Sequence, residues 1–429
     1  MSLAIIALIL FASIFLLILY GYPVSFTLGG LSLIYALCFL NIEALSLLPN
    51  RIMGIMSNEV LMAVPLFIFM GIMLERSGLA ERMLIGMAGF FGRTSAGLGV
   101  SVIIVGALLA ASTGIVGATV ITMGLISLPP MLKQGYKPEL ATGIIAASGT
   151  LGQIIPPSIV LVLLGSVLQV SVGQLFKAAL WPGLALVGAY LGYVLILARL
   201  KPHHFGDSGQ FTSVKEGVES KLTGNLFSSF LLPFLLILSV LGSIFAGIAT
   251  PTEAAAIGAT GAIGLAAVQG KMKWAVLRKV SEETTHLTSM VFMILLGATT
   301  FALVFRQLGG DRYLIELIER ADLSAGVFLA LVMIVVFVAG FFIDFIEIIF
   351  IIVPVVAPIF EQMGIDLVWV GVLLALNLQS SFLSPPFGFA LFYLKGVAPP
   401  GVTTGHLYRG VIPFLVIQLV VLTLVILLH

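Results

Sequence analysis

Long apolar runs separated by short polar stretches recur from one end of the chain to the other. A helix needs about 20 mainly apolar residues to cross the hydrocarbon core of a bilayer. The pattern therefore predicts an all-α polytopic membrane protein. Ten stretches are predicted to cross once each: about 3–20, 24–40, 59–75, 138–170, 174–199, 229–249, 252–268, 286–305, 367–398 and 411–428.

Two further apolar stretches, about 94–132 and 324–360, are too long for a single crossing. The first is interrupted near its middle by Ser112, Thr113 and Gly114, and the second by the segment from Asp344 to Glu347. Each stretch is predicted to be a re-entrant helical hairpin. Non-helical backbone at that depth is tolerated only where protein or a wet cavity surrounds it.

The chain matches itself when it is shifted by 229 residues. Ser95-Ala96-Gly97 then falls on Ser324-Ala325-Gly326, and Pro156-Pro157 falls on Pro385-Pro386. Two copies of one membrane unit, each with a helix broken by two prolines, are typical of a secondary transporter. The predicted copies are residues 1–200 and 225–429, with broken helices at 138–170 and 367–398.

The basic residues predict the orientation of the two copies. If the N-terminus lies outside, fifteen of the 20 basic residues fall in the cytoplasm, as the positive-inside rule requires. The copies then have inverted topology, and the hairpins enter from opposite sides of the membrane. The five basic residues predicted outside are Arg51, Lys177, Arg306, Arg312 and Arg320.

Three connecting segments complete the layout. The polar stretch 201–224 lacks apolar periodicity and is predicted to be a cytoplasmic linker. The stretch of about 271–288 alternates apolar and charged residues, which predicts an interfacial helix. Thr250 and Glu253 have the spacing of a capping box and predict a helix start.

Composition narrows the classes of function. The chain is 60% hydrophobic and 9% charged, whereas soluble domains have about a quarter charged residues. A net charge of +1 gives no field that would favour nucleic acid. The single cysteine, Cys38, excludes an internal disulfide. The sequence has no Walker-type loop for ATP and no HExxH or GxSxG motif, so neither an ATP-driven pump nor an intramembrane enzyme is favoured.

The two proline-broken segments, Ser148 to Ser158 and Asn377 to Gly388, carry the candidate chemistry. Two consecutive prolines release upstream carbonyls from the helical hydrogen bonds, and in lipid such groups need partners. Carbonyls beside Ser, Thr, Asn and Gln oxygens suit a dehydrated monovalent cation, and the free N–H groups beyond the break suit an anion. A proline kink eased by neighbouring helices is the structural alternative.

Two acids lie inside the second apolar hairpin. A carboxylate near the bilayer centre costs roughly 2.5–3.5 kcal/mol, so it usually has a function. Asp344 is the better functional candidate, because Glu347 could instead lie near an interface or form a structural pair. The first hairpin has only Ser112 and Thr113 at its turn. Two cation sites of different charge are therefore expected.

The whole chain resembles the large membrane subunit of the tripartite ATP-independent periplasmic (TRAP) transporters. The resemblance rests on the segments Leu128 to Tyr136, Gly152 to Ser158, Thr250 to Ala256 and Asn377 to Gly388. It implies an elevator-type, Na⁺-coupled importer of carboxylates in the bacterial cytoplasmic (inner) membrane. The implied partners are a small four-helix membrane subunit and a periplasmic substrate-binding protein.

The resemblance also implies the site residues. The implied sodium ligands are Ser112, Thr113, Gly114, Gly149, Thr150, Gly152 and Pro156 for one site, and Asp344, Asn377, Gln379, Ser380 and Pro385 for the other. The implied substrate contacts, between the hairpin tips, are Ser112, Thr113, Ser158, Asp344, Gln379 and Ser381.

Details of the sequence affect the expected substrate. Asn377 to Ser381 and Phe389 to Pro400 look closest to the branch that takes 2-oxo acids, mannitol or chloroaromatic acids. A self-sufficient sodium–dicarboxylate symporter of the same architecture is the main alternative function. A passive channel and a membrane-embedded enzyme are the other two.

Overall fold

The computed structural model describes residues 3–91, 94–206 and 226–428, and every regular element in these ranges is helical. The first copy contains α1 to α10: Leu3–Leu19, Val24–Phe39, Leu48–Met56, Ala63–Arg76, Leu79–Phe91, Gly97–Thr113, Val116–Lys133, Pro138–Thr150, Ile159–Leu168 and Val172–Leu200. The second contains α11 to α20: Leu226–Phe245, Pro251–Val268, Trp274–Gln307, Gly310–Arg320, Ala325–Ala339, Phe345–Ile351, Val353–Gln362, Leu367–Leu383, Phe389–Val397 and Thr404–Leu427. The all-α prediction is confirmed.

Length and hydropathy identify several helices that could cross a membrane. Five helices in the described ranges qualify, or up to seven if each bent helix pair counts as one span. Shorter apolar helices of 10–17 residues, including α1 and α2, accompany them. The layout of ten crossings stays a prediction. The sequence pattern also missed α3, α5 and α14 as separate helices.

The early helices of the two copies pack against each other. Helix α2 lies along α13, and α4 lies along α12 and α13. The contact between α2 and α13 is close, because a Cβ at Gly297 would stand 2.5 Å from the carbonyl oxygen of Ser25. Arg76 on α4 makes two hydrogen bonds to Glu283 on α13, at 2.7 and 3.0 Å. We call this group, α2, α4, α12 and α13, the scaffold.

The prediction of a separate interfacial helix at about 271–288 is wrong. The structure has one continuous helix, α13, from Trp274 to Gln307, without a break near 288. The corresponding part of the first copy is bent by 48° between its 43–56 and 59–76 segments. At 1.5 Å per residue, α13 is about 50 Å long, which is more than the thickness of the hydrocarbon core of a bilayer. The charged first turns of α13 are therefore expected to extend beyond that core.

The helices that follow in each copy form the two hairpins and the two broken helices. Helices α6 and α7 make hairpin one, and α15 with α16 and α17 makes hairpin two, in the stretches predicted at 94–132 and 324–360. Helix α17 is bent by 51° from α16. The first broken helix is α8 and α9, and the second is α18 and α19.

Only the start of the predicted 201–224 linker is described, and 207–224 lie outside the described residues. The start folds back on α8: the N–H of Lys137 donates to the His204 carbonyl at 2.9 Å. Partial burial, followed by the nearby Lys137 charge, lowers the pKa of His204. The predicted capping box of Thr250 and Glu253 is present at the start of α12.

Candidate functional site

The tip of hairpin one is a tight turn centred on Gly114. Its φ of 61° is left-handed, which suits glycine because it has no Cβ. Ser112 donates from its hydroxyl to the carbonyl of Leu109 at 2.8 Å, and Thr113 shares a 2.6 Å hydrogen bond with Thr119. Both Ser112 and Thr113 are buried.

The first broken helix packs directly on both arms of hairpin one. A Cβ at Gly152 would stand 2.1 Å from the Ala110 carbonyl oxygen, so only glycine fits there. A Cβ at Gly149 would stand 2.5 Å from the Val120 side chain on the other arm. The structure thus brings the predicted residues Gly149, Thr150 and Gly152 beside the turn that contains Ser112 to Gly114.

The break in this helix is closed by a serine rather than left open. The Pro156–Pro157 bond is cis, and both prolines are buried. The hydroxyl of Ser158 donates to the Gln153 carbonyl at 2.8 Å and accepts from the N–H of Leu161 at 3.4 Å. Ser158, a predicted substrate contact, therefore satisfies backbone groups on both sides of the break.

The tip of hairpin two is organised by its two acids. A carboxylate oxygen of Asp344 accepts from the N–H of Phe345 at 2.8 Å, and Glu347 accepts from the N–H of Asp344 at 3.3 Å. The pair forms a capping box at the start of α16. The interpretation of Glu347 as a member of a structural pair thus has direct support.

The second broken helix contacts hairpin two through its first arm and its tip. Asn377 donates from its side-chain amide to the carbonyl of Met333 at 2.7 Å. This N–H group therefore binds the first arm of hairpin two, α15, and is not directed to Asp344. A Cβ at Gly340 would stand 2.1 Å from the Ser381 hydroxyl oxygen. Beside Asp344, the rings of Phe345 and Phe382 lie 6.2 Å apart.

The second break resembles the first but is more open. The Pro385–Pro386 bond is also cis, yet Pro385 is half-buried and Pro386 exposed. Here the closing serine precedes the prolines: Ser384 donates from its hydroxyl to the Ser380 carbonyl at 2.9 Å. Tyr408 of α20 donates to the Pro386 carbonyl at 2.7 Å.

The hydroxyl groups near the two breaks donate their protons to backbone carbonyls, so their oxygens can accept a hydrogen bond or bind a cation. Thr150 donates to the carbonyl of Ala147 at 2.9 Å, Ser380 to that of Leu376 at 2.9 Å, and, as above, Ser112 donates within hairpin one. A hydroxyl has one proton and two lone pairs, so each oxygen keeps lone pairs for another partner. Buried oxygens of this kind are ligands that hard cations prefer.

One residue was missed as a site candidate. Gln153 is fully buried at the first break, and neither atom of its side-chain amide has a hydrogen-bond partner. The predicted residue Gln379, in the second broken helix, is in the same state. Buried unpaired polar groups cost about 1–3 kcal/mol each, so such an amide marks a place where a ligand or water is expected. Polar character inside a proline-broken segment was the available signal.

The two copies interleave around these sites. Helix α19 of the second copy packs on α7, where a Cβ at Gly117 would stand 2.9 Å from the Tyr393 ring. Helix α9 of the first copy packs on α16 and α17 of hairpin two. Helix α18 also touches the 151–153 turn of the first break. The region between the hairpin tips is therefore built by both copies.

Comparison with known proteins identifies the family. Residues 11–429 match the family described as "Tripartite ATP-independent periplasmic transporter, DctM component". The chain belongs to this family. It is 32% identical to the C4-dicarboxylate TRAP transporter large permease protein DctM of Rhodobacter capsulatus, covering 98% of this chain and 96% of that protein. The resemblance noted from the sequence is thus confirmed for the large subunit, while the 2-oxo acid branch stays a prediction.

Other relatives handle chemically different solutes. The chain is 29% identical to the sialic acid TRAP transporter large permease protein SiaM of Vibrio cholerae, over 94% of this chain and 92% of that protein. It is 28% identical to the ectoine TRAP transporter large permease protein TeaC of Halomonas elongata, over 90% and 88%. These relatives are permease subunits, so the chain is a membrane-embedded subunit of a secondary transporter and not an enzyme.

A solved structure supports the fold. The crystal structure of the Alcanivorax borkumensis YdaH transporter superposes with a TM-score of 0.61, covering 88% of this chain and 86% of that one. The two sequences are 16% identical, so this likeness concerns the fold alone.

Proposed function

We propose that the chain is the large subunit of a Na⁺-coupled importer of organic anions in the bacterial inner membrane. It would work with a small four-helix membrane subunit and a periplasmic substrate-binding protein. The tripartite family name and the dicarboxylate and sialic acid relatives support this assembly and substrate class. The acceptor hydroxyls beside the two breaks carry the sodium assignment.

One sodium ion would be held where hairpin one meets the first broken helix. The candidate donors are the hydroxyls of Ser112 and Thr150 and backbone carbonyls near Gly114, Gly149 and Gly152. All five residues are buried. Such neutral oxygens fit Na⁺, which needs no thiolate or imidazole.

A second sodium ion would be held where hairpin two meets the second broken helix. Asp344 would supply charge, and Ser380 would supply a hydroxyl oxygen. The amide oxygens of Asn377 and Gln379 are further donors. A carboxylate has about four lone-pair sites, so Asp344 keeps acceptor capacity for the ion beside its hydrogen bond from Phe345.

The organic anion would bind between the two hairpin tips. Bound sodium would supply positive charge there and order both tips, so sodium and substrate should raise each other's affinity by the same factor. Gln379, Ser381 and the missed Gln153 are candidates for its polar contacts. Transport would follow an elevator mechanism, in which the hairpins and broken helices shift against the scaffold.

A reconstitution experiment tests the proposal. The chain and its small membrane subunit are placed in proteoliposomes, and uptake of a labelled C4-dicarboxylate, sialic acid and 2-oxo acids is measured with and without the cognate binding protein. We expect concentrative uptake only with an inward Na⁺ gradient and the binding protein. Uptake without the binding protein would favour a self-sufficient symporter. Flux that no gradient drives uphill would favour a channel.

A further inference from the structure

A cavity of about 400 Å³ separates the scaffold from hairpin two. Helices α3 and α13 form one wall, and the end of α9 with Phe350 and Pro354 of hairpin two forms the other. This volume lies in the range of small-molecule pockets, about 300–1,000 Å³. The cavity does not include the residues of the proposed sodium sites.

Two arginines make this cavity positive. Arg51 of α3 and Arg306 of α13 both line it, and no acidic residue does. Neither arginine forms an ion pair with a carboxylate among the described residues. A guanidinium presents several N–H donors in a planar fork that matches a carboxylate.

The remaining polar groups around the cavity suit the same ligand. Asn50 and Thr299 line it together with the two arginines, and each can donate a hydrogen bond. Apolar side chains such as Leu295 and Phe350 complete the wall. A pocket with an apolar wall and a few convergent polar donors is typical of a site for a small organic anion.

The cavity has a predicted position at the outer face of the membrane and lies next to hairpin two. The distribution of basic residues puts Arg51 and Arg306 on the outer face, and their sharing one cavity agrees with that prediction. Phe350 lies six residues after Asp344 in hairpin two. A molecule in the cavity would therefore touch the scaffold and the predicted moving part at the same time.

We propose that this cavity is an outer binding site where the carboxylate of the substrate pauses, held by Arg51 and Arg306, before it reaches the hairpin tips. This inference rests on the proposed import of organic anions. It adds a second substrate site that is separate from the sodium-linked one.

Cysteine labelling tests the site without requiring transport. Cys38 is replaced by serine, and Thr299→Cys is introduced into the complete transporter, with Ala302→Cys as a second reporter. In spheroplasts, the labelling rate by an anionic methanethiosulfonate is divided by the rate for a cationic one. We expect Arg51→Gln and Arg306→Gln each to lower this ratio about tenfold, because the charged cavity concentrates anions. Arg312→Gln, predicted on the same face but outside the cavity, should leave the ratio unchanged.

A protection experiment identifies the ligand. Succinate is added to the reporter protein, with sulfate of equal charge as the control. We expect succinate to slow labelling at concentrations where sulfate does not, and Arg306→Gln to abolish the difference.

Three outcomes would overturn this proposal. The first is a ratio of anionic to cationic labelling rates that neither arginine substitution changes. The others are equal protection by sulfate and succinate, and protection by the ligand-free binding protein alone. The last would mean that an acidic side chain of that partner fills the cavity. Each readout is independent of sodium-driven uptake, so failure here is distinguishable from failure of the proposed import.

Discussion

The two hairpin sites share an architecture but differ in charge and openness. At hairpin one, neutral hydroxyls and carbonyls surround the tip, and the prolines of the adjoining break are buried. At hairpin two, Asp344 and Glu347 organise the tip, and Pro386 is exposed. A duplicated unit can thus keep its backbone plan while one copy places carboxylates at its hairpin tip and the other only neutral dipoles.

The largest effect is expected at the site of hairpin one, which we call the neutral site, where the first broken helix packs most closely on the hairpin. Gly152→Ala would drive a Cβ to 2.1 Å from the backbone oxygen of Ala110, which has little freedom to move. We expect near-complete loss of uptake and a destabilisation of about 1–3 kcal/mol, measured by thermal unfolding in detergent. Gly188→Ala on α10 is the control, because no atom lies within 4 Å of the position that a Cβ would take there. Wild-type uptake by the Gly152 variant would contradict the close packing.

The next largest effect is expected at the site of hairpin two, which contains Asp344 and which we call the acidic site. Asp344→Asn keeps a capping side chain but removes the charge, so we expect the half-saturating sodium concentration for uptake to rise about tenfold, or 1.4 kcal/mol. Asp366→Asn is the control, because Asp366 also caps a helix, α18, by accepting from the N–H of Val368, and it is not one of the proposed site residues. Unchanged sodium dependence in the Asp344 variant would remove that residue from the site.

The two unpartnered glutamines offer a test with two readouts. Gln153→Leu and Gln379→Leu replace a buried, unpaired amide by an apolar group, which should leave stability unchanged or raise it. If the amides contact transported species, uptake should nevertheless fall several-fold. We would assign a purely structural role to either residue whose variant keeps full uptake.

The smallest expected effect compares single hydroxyls. Thr150→Val and Ser380→Ala each remove one oxygen, worth about 1 kcal/mol, or roughly a fivefold change in sodium affinity. We expect the larger change for Thr150, because its site has no carboxylate to compensate. The measurement is sodium-dependent thermal stabilisation, with Thr260→Val on the exposed face of α12 as the control. Equal changes would argue against the difference in charge between the sites.

Much of this arrangement could be predicted from the sequence, because repeats, apolar lengths and proline pairs act locally. The positions of Gly114, Asp344 and both proline pairs followed from such patterns. The continuity of α13 did not, since its charged start resembles a surface helix until its packing on α2 is known. The state of Gln153 was equally hidden, because hydrogen-bond partners depend on distant segments.

The interleaving of α19 with hairpin one and of α9 with hairpin two has a consequence for biosynthesis. Because the ring of Tyr393 fills the space beside Gly117, the first hairpin obtains its full set of neighbours only after nearly the whole polypeptide has left the ribosome. Membrane insertion can proceed span by span, but final assembly must wait for the second half. Separately expressed halves should consequently gain protease resistance only when they are produced together.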